Sequence, residues 1–156
     1  MPSRRDQVRM TPEEVRAYLT AGRRIICVTN GPDGLPHPVP MNYGVDEAGR
    51  ILLTSFARSQ KVRNLERDPR ATLLVESGDI YAELKAVIVY AEVEIVREPE
   101  QVVGLMRQIQ AADSLAGSID QGMSEQVRAS VAKRVVLRFT PVRVGSWDHG
   151  KLAGKY

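Results

Sequence analysis

A succession of short runs rich in β-branched residues, each closed within a few residues by a tight-turn signal, constrains this chain most. Arg24 to Thr29 is the first run, and Asn30-Gly31-Pro32-Asp33-Gly34 turns the chain after it. Residues 37–45 form a second extended run, which Pro36, Pro38 and Pro40 confine in part to an edge or a bulge. Asp46-Glu47-Ala48-Gly49-Arg50 leads to a third, Ile51–Ser55, and Ala71–Glu76 is a fourth. After Ser77-Gly78-Asp79, the run Ala86–Val96 is the longest strand signal. Val87, Val89, Val93 and Ile95 share one face, with Tyr90, Glu92 and Glu94 on the other. Two closing strands are expected, Arg134–Thr140 and Val142–Trp147, joined at Pro141. Antiparallel neighbours joined by short turns predict a mainly β fold, a small closed or half-closed barrel with flanking helices. The strand–helix alternation of a doubly wound sheet is missing.

Helical signals are few. Thr11 caps a helix with Pro12 in its first position and Glu14 completing a capping box; Gly22 ends it. Pro99 to Gln110 and Ser124 to Ala132 read as helices around a small polar loop, 111–123. The polar, basic residues 1–10 read as a loose arm, leaving 11–156 as a single domain. A chain of 156 residues is long enough to bury one sizeable core.

Several function classes recede on composition and spacing. The formal charge of +3 is too mild to argue for nucleic acid, and eight aromatic residues offer little base-stacking surface. No apolar run reaches the roughly 20 residues of a membrane helix, and no apolar segment follows Met1-Pro2-Ser3 as a leader would require. A cytoplasmic protein without membrane or nucleic-acid partners is expected. His37 and His149 lie far apart without metal-ligand spacing, and Cys27 reads as a buried structural thiol, so no metal is expected. Neither a nucleophile elbow nor a glycine-rich phosphate loop occurs. Trp147 and Tyr43 read either as core anchors or as borders of a planar ligand. Glu83 and Glu92 read as solvated carboxylates, and no catalytic residue is assigned.

One segment carries chemistry rather than packing. Phe56-Ala57-Arg58-Ser59-Gln60-Lys61-Val62-Arg63-Asn64-Leu65-Glu66-Arg67-Asp68-Pro69-Arg70 follows the third strand and reads as a short basic helix. Ser59 is its N-cap and Asp68-Pro69 its stop. Arg58, Lys61 and Arg63 crowd cations around a helix start whose free N–H groups already favour an anion. A phosphate there would meet backbone donors, a hydroxyl and positive charge together. A solvated charged face with Val62 and Leu65 turned inward is the competing reading of the same residues.

This segment, Gly34-Leu35-Pro36-His37-Pro38-Val39-Pro40-Met41 and the closing Ser146-Trp147-Asp148-His149-Gly150-Lys151-Leu152 together resemble the pyridoxamine 5′-phosphate oxidase-like superfamily. The likeness is to its flavin- and deazaflavin-dependent oxidoreductase branch and spans roughly residues 11 to 156. It implies a split β-barrel homodimer with two cofactor sites at the subunit interface. Val39, Pro40, Met41 and Asn42, with Thr54 and Ser55, would then run along a tricyclic ring. Arg58, Ser59, Gln60 and Lys61 would hold its phosphate, and Trp147 would approach the cofactor of the partner. The grip of true pyridoxamine phosphate oxidases on their substrate phosphate is not recognisable, so vitamin synthesis is not expected.

The resemblance implies an oxidoreductase that binds coenzyme F420, a deazaflavin, or FMN and passes a hydride to a small unsaturated or quinone-like molecule. The extra acidic tail of the deazaflavin would suit Arg63, Arg67 and Lys155. The alternative is a non-catalytic carrier or sensor of a flavin or haem on the same barrel. A nucleic-acid-binding barrel, motivated by the basic helix, is the third reading.

Overall fold

The computed structural model describes residues 3–109 and 124–154. Its strands are β1 (Arg24–Asn30), β2 (Pro36–Asn42), β3 (Gly44–Val45), β4 (Ile51–Phe56), β5 (Arg70–Ser77), β6 (Lys85–Val96) and β7 (Arg134–Asp148). They form one antiparallel sheet in the order β2-β1-β5-β6-β7-β4-β3. The sheet curls into a half-barrel, so that β2 and β4, near its opposite ends, touch. The helices of the described residues are α1 (Arg4–Val8), α2 (Pro12–Ala21), α3 (Gln60–Arg67), α4 (Pro99–Met106) and α5 (Glu125–Val131).

Alternation along the strands builds two cores. Ile25 and Cys27, Ile51 and Leu53, Leu73 and Val75, Val87 and Val89, and Leu137 and Phe139 point into the barrel. Val62 and Leu65 of α3 close one end of that interior. The residues between them on β4 and β7, Leu52 and Val136, face outward beneath α4 and α5 with Val102, Met106 and Val131. Each fully buried aliphatic side chain here contributes about 1.5–3 kcal/mol.

Tyr43 joins the first core as a structural residue: it is 1% exposed, and its hydroxyl donates to the Leu19 carbonyl at 2.5 Å. A Cβ on Gly22 would stand 2.2 Å from that hydroxyl, so this turn must be glycine.

Three local expectations need correction. Pro141 does not divide two strands, because β7 runs unbroken and absorbs the irregularity as a bulge. Tyr90 pairs with Arg143 and Ala91 with Pro141, leaving Val142 as the extra residue. A bulge is where a strand tolerates a proline that cannot donate to the ladder. Residues 3–10 are not a loose arm either. Ser3 and Asp6 form a reciprocal capping box on α1, and Met10 is buried. The third helix expected from periodicity ends at Met106 rather than Gln110. The loop expected at 111–123 lies outside the described residues.

Candidate functional site

Strand β4 delivers the site. β3 pairs only with Ile51 and Leu52, so from Leu53 onward one edge of β4 has no strand beside it among the described residues. The chain leaves β4 through a turn in which Ser59 N–H donates to the Phe56 carbonyl at 3.0 Å, and α3 begins at once. Ser59 occupies the N-cap position with extended backbone, but its hydroxyl makes no capping bond. That departs from the expected role and leaves the first N–H groups of α3 without a side-chain acceptor.

The hydroxyl points elsewhere. Ser59 Oγ and Ser55 Oγ lie 2.9 Å apart, and Lys61 Nζ donates to Ser55 Oγ at 3.0 Å. Lys61 thereby uses one of three N–H donors. Two hydroxyl protons share one bond between the serines, so one proton is left over; its internal competitor is a long 3.5 Å contact to the Phe56 carbonyl. Lys61 is half-buried and forms no ion pair among the described residues. Burial pushes its ammonium below the ordinary lysine value. Arg58, on the turn, and Arg63, one helical position beyond Val62, are exposed and likewise unpaired among the described residues. This is a cationic, donor-rich corner with no carboxylate partner among the described residues.

The remaining expected residues fall into three groups. Val39 lies opposite Cys27 on β1, and the Cys27 thiol is the group that feels the Lys61 charge, which brings β2 to the cluster. Met41 turns inward against the barrel core, Asn42 is half-buried, and Pro40 is exposed. Thr54 sits on the opposite face of β4 from Ser55; its Oγ1 is buried without a hydrogen-bond partner. Gln60 opens α3, yet its amide donates along the helix to Asn64 Oδ1 at 2.8 Å. Trp147 is half-buried opposite Ala86, at the far end of β7 from Val135, which pairs with Ser55. Those 12 residues of strand span about 40 Å of contour, and Trp147 makes no hydrogen bond to the Lys61 cluster among the described residues.

Burial pushes the Cys27 thiol up to about 12, so it is no nucleophile at neutral pH. Among the described residues no cluster of His, Cys, Asp and Glu could hold a metal ion. No helix among them is long and apolar enough to cross a membrane.

Sequence reasoning missed three contributors. Asn64 is completely buried, donating to Thr29 Oγ1 at 2.9 Å while accepting from Gln60, and so it fixes α3 to β1. Its signal was a polar residue flanked by Val62 and Leu65 on a helix face that must turn inward. Phe56 is 52% exposed and carries the Arg134 guanidinium 4.3 Å above its ring. An exposed Phe directly before a basic run was the signal there. A groove of about 440 Å³ lies apart from Lys61, on the outer face of the sheet, between Val28, Thr72, Tyr90 and Val142. Those residues alternate with Cys27, Leu73 and Val89, so the sheet separates the groove from the barrel interior.

Comparison with known proteins reaches nearly the whole chain. The family profile described as pyridoxamine 5′-phosphate oxidase matches residues 11–148. The crystal structure of the conserved hypothetical protein Rv2991 from Mycobacterium tuberculosis is 33% identical, with a TM-score of 0.82 over 99% of this chain and 95% of that one. An F420 reductase is similar in fold at 22% identity and a TM-score of 0.63, covering 86% of this chain and 98% of its own. A FAD-binding protein from Mesorhizobium loti reaches a TM-score of 0.64 at 22% identity, over 88% and 94% of the two chains. No curated protein matches the sequence.

Proposed function

The chain belongs to the pyridoxamine 5′-phosphate oxidase family, and from that premise we propose that it is an oxidoreductase working with a phosphate-bearing tricyclic cofactor, coenzyme F420 or FMN. When bound, that cofactor would supply hydride chemistry toward a small unsaturated or quinone-like acceptor. The observation that carries the reading is Lys61: a half-buried ammonium tied to Ser55, without a carboxylate partner among the described residues, beside an uncapped helix start. A buried cation is costly unless something pairs it, and a phosphoryl group is the partner this geometry suits.

The chain's own residues divide the work. Lys61 and Arg58 neutralise the phosphate through charge-assisted bonds, about twice as strong as neutral ones. Ser59 gives it a hydroxyl proton, and the first N–H groups of α3 complete the cradle. The unpaired edge of β4, with Thr54, and the inward side of β2 from Val39 to Asn42 orient the ring and exclude water from one side of it.

The reading includes a homodimer. Trp147 lies about 40 Å of strand contour along β7 from the level of Ser55, and the family resemblance has it approach the ring held by a second copy of the chain. Exposed Val142, in the groove on the outer sheet face, is apolar surface that such a partner would cover.

The test is an absorbance spectrum of the purified protein, followed by titration of FMN and coenzyme F420 side by side and turnover with a panel of acceptors. Saturable binding of one cofactor with turnover is expected; light scattering is expected to give twice the chain mass. A protein that ignores both cofactors at saturating concentration overturns the reading, and binding without turnover makes it a carrier.

A further inference from the structure

The chain has five lysines, of which Lys61, Lys85, Lys133 and Lys151 lie among the described residues. Two of these four are tied to carboxylates, Lys85 to Asp148 at 3.0 Å and Lys151 to Glu14. Lys133 is exposed and has no ion pair among the described residues. Of the four, only Lys61 combines partial burial, no carboxylate partner and a fixed place, with Nζ 3.0 Å from Ser55 Oγ.

A protonated lysine does not attack electrophiles, whereas a desolvated one with more of its neutral form does. Burial pushes Lys61 in that direction. As a free amine it can keep one N–H on Ser55 Oγ and offer its lone pair to an incoming carbon. Cys27 does not compete, because its thiol is fully buried and stays protonated. Arg58 and Arg63, exposed and without carboxylate partners among the described residues, draw a phosphoryl group to the same corner without using the amine. The Ser55–Ser59 pair, 2.9 Å apart, holds a spare hydroxyl proton beside them.

We propose that Lys61 is an acylation site that takes an acyl group from an acyl phosphate docked by its phosphoryl end. A bond forms between Lys61 Nζ and the acyl carbon. The bond from that carbon to the phosphoryl oxygen breaks, and its electron pair leaves with the phosphate. The amine's surplus proton passes to Ser55 Oγ while the serine pair gives its spare proton to the departing phosphate. The products are an amide on Lys61 and inorganic phosphate. The amide carries no charge, so the acylated chain has lost the cation that pairs with a cofactor phosphate. That consequence rests on the cofactor reading above, while the acylation rests on the side-chain cluster itself.

The experiment incubates the full chain, dialysed free of phosphate and of bound cofactor, with acetyl phosphate and follows each lysine by peptide mass spectrometry. Lys61 is expected to be acetylated about tenfold faster than the exposed reference Lys133. Inorganic phosphate is expected to remove that preference, and Arg58→Gln to reduce it. Acetic anhydride, which has no phosphoryl group, is expected to modify Lys61 at a rate that neither phosphate nor Arg58→Gln changes. Equal rates at Lys61 and Lys133, or a preference that phosphate does not compete away, overturn the acylation site. The acetylated chain is then titrated with FMN and coenzyme F420, and is expected to bind about tenfold or more weakly than the unmodified chain. An unmodified chain that binds a cofactor yet is not acetylated at Lys61 overturns this inference and leaves the cofactor reading intact. Selective acetylation of a chain that binds neither cofactor strikes the cofactor reading and leaves the acylation site standing.

Discussion

The two ends of helix α3 hold similar charges and treat them in opposite ways. At its C-terminal end everything is paired. Arg67 donates to the Asn30 carbonyl at 2.5 Å, and Asp68 accepts from Asn30 at 2.8 Å and twice from Arg70 at 2.9 Å. At its N-terminal end Arg58, Lys61 and Arg63 meet no carboxylate among the described residues, and Lys61 is partly desolvated as well. The finished end holds the helix to β1 and β5. The unfinished end keeps its donors free at a cost in folding energy, which is the pattern of a site built for a ligand rather than for stability.

Replacing Lys61 breaks that contrast most directly. Lys61→Met is expected to weaken cofactor binding by on the order of 1.5–3 kcal/mol, roughly tenfold to more than a hundredfold, by calorimetric titration. Its thermal midpoint is expected to stay level or rise, because a half-buried cation without an ion-pair partner leaves with the substitution. A lower midpoint with unchanged affinity would make Lys61 a structural residue and erase the difference between the ends.

Asn64 tests the connection between them. It is completely buried, bonds to Thr29 on β1, and accepts from Gln60 on one side and Arg67 on the other. Asn64→Ala leaves the buried Thr29 hydroxyl without its donor, so a loss of about 1–3 kcal/mol in urea unfolding is expected. A variant as stable as wild type would mean that Val62 and Leu65 alone seat the helix.

Much of this was legible in the chain. The length of β6 and its run of β-branched residues mark a strand whatever surrounds it, and the prolines of β2 marked an edge. The α3 cation cluster was legible because Ser59 and Asp68-Pro69 bracket it. What was not legible depends on partners distant in sequence. Asn64 looks like a solvent residue until Thr29 is placed beside it, and Arg134 looks like any strand arginine until β4 lays Phe56 beneath it. Pro141 misled because proline usually ends a strand, and only pairing with β6 reveals the bulge that accommodates it.

The smallest effects lie in pH, where the two ends act in opposite windows. Hydrogen bonds from Arg70, then from Asn30, hold the Asp68 carboxyl well below the usual carboxylate range. A depressed carboxyl contributes stability that is present above its unfolded value, about 3.9, and is lost as pH falls below it. Asp68→Asn is therefore expected to flatten the acid limb of a stability curve and to leave the alkaline limb alone. Lys61 is depressed too, but as a cation: between its folded value and 10.5 the unfolded chain binds more protons, so stability rises with pH there. Ligand binding runs the other way, since a phosphate draws the proton back onto Lys61. Affinity is expected to fall at a pH below that at which an ordinary lysine titrates, and Lys61→Arg to carry binding further into alkali because guanidinium stays charged. An affinity profile flat to pH 10.5 in the wild type would show that the ligand's anion is held without this ammonium.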